Sequence, residues 1–191
     1  MRENLTRRNF VAILAGVASA SAATTTGCIG GDEPLPEPVA LDAGQACDVC
    51  GMIIRDHPGP VGQTYYRDNA PEGRAEDEPA WFCSNDCLFD FYFQRRGQGW
   101  EPLVHYTTDY SAVDYEVTDE SGSLFLTSHL GAENFARGEE TTLVVDSDVL
   151  GAMGPSLVPF TDEQDATGFQ NEYGGDRLAF GDVSQQLFDS L

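Results

Sequence analysis

The fold is decided by residues 80–97, which read Ala-Trp-Phe-Cys-Ser-Asn-Asp-Cys-Leu-Phe-Asp-Phe-Tyr-Phe-Gln-Arg-Arg-Gly. The first three residues are typical of a short strand, and Ser84 is a residue type that caps helix N-termini. Apolar residues then recur at intervals of three and four, two arginines lie near the negative end of the helix, and Gly97 is a typical stop. The stretch therefore predicts a strand that leads through a cap into a helix buried on one face.

Runs of β-branched and aromatic residues bounded by Gly, Pro and Asp predict strands on both sides of this stretch. In the first half these runs are 52–54, 63–66, 80–82, 104–107 and 113–117. The acidic, Pro-flanked segment 69–79 predicts a surface loop.

The second half shows a similar arrangement. Residues 142–146 predict a strand, 151–155 a turn and 157–160 another strand. Thr161-Asp-Glu-Gln164 reads as a capping box that opens a helix, which Gly174-Gly175 ends before a strand over 177–180. Because Met52 and Met153 each lie ahead of such a unit, we predict a pseudo-repeat of strand, Met-bearing turn, strand and helix.

Acidic residues dominate the charge of the chain. Its 191 residues include 32 Asp and Glu and ten basic residues, every one of them Arg, for a net charge of −22. A chain with so little cationic surface cannot displace phosphate counterions, which argues against a nucleic acid partner. The charge favours a solvated, soluble surface, and the absence of Lys is typical of proteins exported by extreme halophiles.

Residues 1–27 have the features of an export signal. Thr6-Arg-Arg-Asn-Phe-Val11 is a twin-Arg motif, and the apolar run over 10–20 is too short to span a bilayer. Thr25-Thr-Gly-Cys28 resembles a lipoprotein cleavage box and predicts lipid on Cys28, which would hold the protein at the outer face of the cytoplasmic membrane. The alternative is a cleaved, freely secreted protein in which Cys28 is lost or unmodified.

The remaining chain predicts a tether followed by a domain. Residues 28–44 are Gly- and Pro-rich and too polar to join a core, so we expect a flexible tether after Cys28. The domain is expected over 45–183, in halves of 45–110 and 111–183, with a C-terminal tail over 184–191.

Four further cysteines form two close pairs, Cys47-Asp-Val-Cys50 and Cys83-Ser-Asn-Asp-Cys87. They fit a tetrahedral zinc site of four thiolates, two disulfides, or a Cu(I) site that uses some of the thiols with thioether help. Export favours disulfides, because exported proteins meet an oxidising compartment. The start of the predicted helix favours thiolates at Cys83 and Cys87, whereas Asp86 and Asp90 disfavour them.

Two methionines and one histidine are further candidate ligands. Met52 follows Cys50 closely, although filling a core gap is the favoured interpretation for it. Met153 lies in a Gly- and Pro-rich turn that rarely buries a lone long side chain, so ligand and core roles are equally open there. For His57 a surface position is favoured over a ligand role.

Four ordered motifs in residues 45–183 resemble the NosL family of nitrous oxide reductase accessory lipoproteins. They are Cys50-Gly-Met-Ile-Ile-Arg-Asp-His-Pro-Gly-Pro-Val-Gly-Gln63, Phe82-Cys-Ser84, Ala152-Met-Gly-Pro-Ser-Leu-Val-Pro-Phe160 and Tyr173-Gly-Gly175. The resemblance implies an α+β fold related to that of organomercurial lyase, with two similar β-β-α-β halves, each a small antiparallel sheet with a packed helix. It also implies a lipid-anchored extracytoplasmic Cu(I) carrier that delivers copper to an ABC-type maturation complex for nitrous oxide reductase.

By position, the resemblance singles out Cys50, Met52 and Met153 as copper ligands. Cys47, Cys83 and Cys87 depart from the leanest members of the family, and Phe-Cys-Ser-x-x-Cys also resembles the TRASH type of metal-sensing finger. Copper can therefore rest on Cys50 and the methionines or on the four thiols, with Zn(II) as the other candidate ion.

Our prediction is a non-enzymatic, membrane-tethered lipoprotein that binds Cu(I) and passes it to a partner. The alternative is a lipoprotein docking module in which the four cysteines hold structural zinc or form disulfides. A minor alternative is an enzyme like organomercurial lyase, with Cys83, Asp86 and Cys87 as its paired thiols and acid.

Overall fold

The structure, a computed structural model, describes residues 34–191. The predicted export signal, Cys28 and the start of the predicted tether lie outside the described residues. The described part contains three α-helices, α1 (Asn85–Arg96), α2 (Glu163–Tyr173) and α3 (Gln185–Phe188). Its strands are β1 (Gly62–Arg67), β2 (Ala80–Phe82), β3 (Glu101–Thr108), β4 (Val117–Glu120), β5 (Ser123–Leu126), β6 (Phe135–Arg137), β7 (Thr142–Val145), β8 (Val149–Gly151), β9 (Gly154–Pro155), β10 (Val158–Phe160) and β11 (Asp176–Ala179).

The strands form three small sheets. The first has the order β2-β1-β3-β6 and the second the order β10-β7-β11, and both are antiparallel. The third has the order β4-β5-β8-β9 and includes one parallel pair, β5 with β8. Helix α1 lies against the first sheet and α2 against the second.

The two halves share one topology. In each half one strand, β1 or β7, is central and is flanked by the strand before the helix and the strand after it. This confirms the predicted α+β fold of two β-β-α-β halves with small antiparallel sheets. The methionines break the repeat, because Met52 precedes β1 whereas Met153 lies between β8 and β9. The prediction of equivalent Met-bearing turns was therefore wrong.

The capping residue predicted from the sequence is correct for α1 but wrong for α2. Ser84 Oγ accepts the Cys87 N–H at 3.1 Å, and Gly97 follows the last helical residue, as predicted. Helix α2 is instead capped by Asp162, which accepts the Gln164 N–H at 2.7 Å. Thr161 donates its hydroxyl to the carboxylate of Asp109 at 2.6 Å, so the predicted Thr161 capping box was wrong.

Two predicted strands were also wrong. Residues 52–54 lead into a 3₁₀ turn over Ile54–Asp56, because the chain folds back on itself: Cys47 N–H donates to Met52 O, and Ile54 N–H donates to Gln45 O. Of residues 113–117, only Val117 lies in a strand. The segment 69–79 contains neither helix nor regular strand, which confirms the predicted loop.

Residues 36–41, which we call the strap, pack against the first sheet. Leu41 is fully buried. The Gln63 side chain accepts from Val39 N–H and donates to Val39 O, each at 2.9 Å. Hydroxyls from β1 and β3 donate to the backbone carbonyls of Glu37 and Pro36. The expectation of a flexible tether was therefore wrong for the strap, because the sheet supplies partners for its backbone.

The core consists of two main apolar clusters. One lies between the first sheet and α1, around Phe82, Leu88 and Phe91, and includes three of the cysteines. The other lies under α2, around Phe160 and Phe169. Within residues 34–191, no helix is both long and apolar enough to cross a membrane.

Candidate metal centre

Two segments of chain bring the four cysteines together. Cys47 and Cys50 lie on one tight turn, and Cys83 and Cys87 lie where β2 passes into α1. The turn is fastened beside β2 by Asp48, whose N–H donates to Trp81 O at 2.9 Å and whose carboxylate accepts the Trp81 N–H at 2.6 Å. The strand-to-helix junction predicted from the sequence therefore builds one side of the site.

The sulfur geometry fits a single ion. All four Sγ atoms lie within 4.8 Å of one another, with 3.4 Å between Cys50 and Cys83 and 3.8 Å between Cys83 and Cys87. A tetrahedral ion with metal–sulfur bonds of about 2.3 Å places its sulfurs ~3.8 Å apart. Within residues 34–191, these cysteines form the one group of three or more Cys, His, Asp or Glu arranged to hold a metal. All four are free thiols, so the structure does not contain the predicted alternative of two disulfides.

The four thiols differ in exposure. Cys47, Cys83 and Cys87 are buried, at 3%, 0% and 3% exposure. Cys50 is exposed. The site is therefore closed toward the core and open on one side.

The buried sulfurs influence each other's ionisation. Hydrogen bonds from Cys83 and Cys87 lower the pKa of Cys47, and the same contacts raise the pKa of Cys83 and of Cys87. The cluster thus favours a thiolate at Cys47. Because a bound cation takes the place of thiol protons, metal uptake releases protons.

The acidic neighbour of the site keeps its charge at neutral pH. Burial raises the pKa of Asp86, which precedes Cys87, to about 6. Its carboxylate is therefore still mostly ionised at neutral pH and opposes thiolates there, and this opposition weakens only below about pH 6.

The methionines occupy contrasting environments. Met52 is half-buried and packs against the cluster that contains the cysteines, in keeping with the favoured core interpretation. Met153 lies in the turn between β8 and β9 and is 47% exposed, which rules out the core role considered for it. The ligand roles of both residues stay predictions. His57 is half-buried and is not a member of the cysteine group.

One feature of the site was missed from the sequence, a group of side chains that we call the clamp: Asp48, Arg74 and Trp81. Arg74 Nη2 lies 2.8 Å from Asp48 Oδ1, and the two side chains are only 12% and 15% exposed. The Arg74 guanidinium lies 3.3 Å from the Trp81 ring centroid, and it also donates to Pro79 O. The available signal was that Arg74 is the single basic residue of the acidic loop 69–79.

Comparison with known proteins gives matches over most of the chain. The NosL family model matches residues 38–188, a range that includes all four clustered cysteines. The copper-binding lipoprotein NosL of Stutzerimonas stutzeri is 32% identical over 151 residues, which cover 79% of this chain and 68% of that protein. The crystal structure of the copper chaperone NosL from Shewanella denitrificans is 25% identical and superposes with a TM-score of 0.63, over 80% of this chain and 99% of that one. The likeness therefore extends to sequence and fold together.

Proposed function

The chain belongs to the NosL family, and we propose that it is a Cu(I)-binding protein that carries copper outside the cytoplasm and passes it to a partner. The observation that carries the proposal is the group of four sulfurs, three buried and one exposed. Sulfur donors suit Cu(I), and a site open on one side suits an ion that must be given up again.

Family membership supports copper over the other candidate, zinc. Thiolates bind both ions, so the donor set alone does not choose between them. The two relatives are named for binding copper and for acting as a copper chaperone. Neither name describes catalysis, which supports the expectation that this chain is not an enzyme.

The remaining elements of the proposal concern location and partners. The relative from Stutzerimonas stutzeri is named as a lipoprotein, which supports lipid attachment at Cys28 and a place on the outer face of the membrane. We further propose an ABC-type maturation complex and, through it, nitrous oxide reductase as recipients of the copper. The net charge of −22 supports a partner other than nucleic acid.

Anaerobic Cu(I) titration of the full chain against a chromophoric chelator, with Zn(II) as competitor, tests the proposal. We expect one Cu(I) per chain, bound in preference to zinc. Cys83→Ser removes a fully buried candidate ligand. Mutating a residue that only supports a metal ligand typically weakens metal binding 10–100-fold, so the loss of Cys83 should weaken Cu(I) binding by more than that. Cys28→Ser makes the same chemical change outside the cluster and should leave binding unaltered.

Two outcomes would overturn the assignment. A wild-type chain that takes up no Cu(I), or one in which Zn(II) displaces Cu(I), refutes the copper-carrier function. Met153→Leu tests the thioether separately: a weakened Cu(I) affinity with an unchanged fold would assign Met153 to the ion, and an unchanged affinity would remove it from the ligand set.

A further inference from the structure

We propose that the ion is exchanged through Cys50 alone, while Cys47, Cys83 and Cys87 retain it until the incoming ligand is bound. The inference rests on the proposed function and assigns different tasks to the four sulfurs of the same site.

Exposure is the first argument. Cys47, Cys83 and Cys87 are at most 3% exposed, so a donor arriving from solvent cannot reach the ion past them. Cys50 is the exposed member of the cluster. An acceptor must therefore approach on the Cys50 side. Val49 and Ile53, on either side of Cys50 in the chain, are exposed apolar residues that an acceptor surface could cover.

The attachment of the turn is the second argument. Its first half is fixed: Cys47 N–H donates to Met52 O, and Asp48 is held to Trp81 and Arg74 by the clamp. In its second half Gly51 donates its N–H to Cys47 O at 2.9 Å, but the space beside it is open, because a Cβ placed on Gly51 would meet no atom within 4 Å. Cys50 can therefore turn away from the ion by side-chain rotation, a motion that is fast for exposed residues. Movement of the backbone at Cys47 would instead disturb the bonds of the adjacent Asp48 to Trp81 and Arg74.

The sulfurs on the helix side are fixed even more firmly. The cap bond from Ser84 holds the first turn of α1, which carries Cys87. The fully buried Asn85 donates to Leu157 O at 2.8 Å and accepts from the Thr107 hydroxyl at 2.8 Å. These bonds join the start of α1 to the neighbourhood of β10 and to β3, so Cys83 and Cys87 lie on a rigid part of the fold.

The exchange step balances without a redox partner. The bond between Cu(I) and Cys50 Sγ breaks, and a bond forms between Cu(I) and a soft donor of the acceptor. Copper remains Cu(I) throughout. The electron pair of the broken bond stays on Cys50 Sγ.

Alkylation of the copper-loaded protein tests this order. The full chain, carrying Cys28→Ser so that the four clustered cysteines are its only cysteines, is loaded anaerobically with one equivalent of Cu(I) and treated with iodoacetamide. Native mass spectrometry and peptide mapping then follow the adducts. We expect the first adduct on Cys50 and expect the singly alkylated protein to keep its copper. A first adduct on any other clustered cysteine, or loss of copper with the first adduct, overturns the inference.

The clamp supplies a second arm of the experiment. Arg74→Met leaves the two hydrogen bonds between Asp48 and Trp81 in place, but it should loosen the first half of the turn and raise alkylation of Cys47 by about tenfold relative to Cys83, as expected for an easier local opening. Arg67→Met is the matched control, because it removes the same charge from an exposed ion pair with Glu101. If Arg74→Met does not fold, Arg74→Lys keeps the charge beside Asp48 and loses the planar contact with Trp81. If a folded Arg74 variant alkylates Cys47 no faster, relative to Cys83, than the wild type does, then the clamp does not hold Cys47 in place.

The two proposals fail in distinguishable ways. A wild-type chain without Cu(I) uptake refutes the proposed function. Normal uptake combined with alkylation that begins at a buried cysteine refutes only the exchange through Cys50.

Discussion

His105 makes the stability of this protein depend on pH in a calculable way. It lies on β3, is 7% exposed, and places Nδ1 2.9 Å from the Thr64 hydroxyl. The rings of Tyr92 and Phe180 pack against it. Burial lowers the pKa of His105 from 6.5 to about 4.

The size and sign of the effect follow from proton linkage. One unit of difference in pKa corresponds to about 1.4 kcal/mol, so the lowering corresponds to about 3 kcal/mol. Above the unfolded pKa of 6.5 the imidazole is neutral in both states, and the full stability is present. As the pH falls from there toward the folded pKa of about 4, the unfolded chain binds a proton that the folded chain excludes, and stability is lost.

Urea denaturation of the wild type and of His105→Gln, measured at a series of pH values, isolates this contribution. Glutamine can still bond Thr64 but does not titrate, and Glu139, which lines the same cavity as His105, is present in both proteins. We expect the wild-type free energy of unfolding, relative to the variant, to be constant above pH 6.5 and to fall by about 3 kcal/mol on acidification to pH 4. A difference that does not change over this range would refute the reasoning.

Three further predictions concern the strap and two glycines, and urea denaturation measures all three. Leu41→Ala removes a fully buried side chain and should lower the free energy of unfolding by about 3 kcal/mol, whereas Leu35→Ala, at a residue 40% exposed, should change it by less than about 0.5 kcal/mol. Equal effects at the two positions would contradict the docking of the strap. Gly168→Ala, on α2 at a position where an added Cβ would meet no atom outside the helix backbone within 4 Å, should stabilise the protein by up to about 1 kcal/mol. Gly175→Ala should destabilise it, because Gly175 has a φ of +92° and an added Cβ would overlap Val145 O; a gain in stability there would contradict this.

The parts of the fold predicted from sequence are those with short-range causes. Ser84 caps α1 as expected because a side-chain cap acts on the backbone within one turn of the helix, and the helix ends at Arg96, immediately before Gly97. The predicted cap of α2 was wrong by one residue because the Thr161 hydroxyl donates to the carboxylate of Asp109, which lies 52 positions earlier in the chain. No local pattern could reveal that contact.

The candidate site likewise combines features that a local pattern predicts with features that depend on contacts between distant parts of the chain. The paired spacing of the cysteines predicted a metal or disulfide site, but their convergence on one point depends on Asp48 pairing with Trp81, 33 residues away. The clamp and the unequal exposure of Cys50 also arise from long-range packing. The sequence therefore indicated the donors but not which of them faces solvent.

The strap determines how the domain responds to a pull on its N-terminal end. Its attachments are arranged in sequence along the chain, first Pro36 and Glu37 through tyrosine hydroxyls, then Val39 through Gln63, and then the buried Leu41. A load applied to that end of the chain would reach these contacts in the order in which they lie along the sequence. It would have to pass all of them before it reached the cysteine turn, which begins six residues after Leu41.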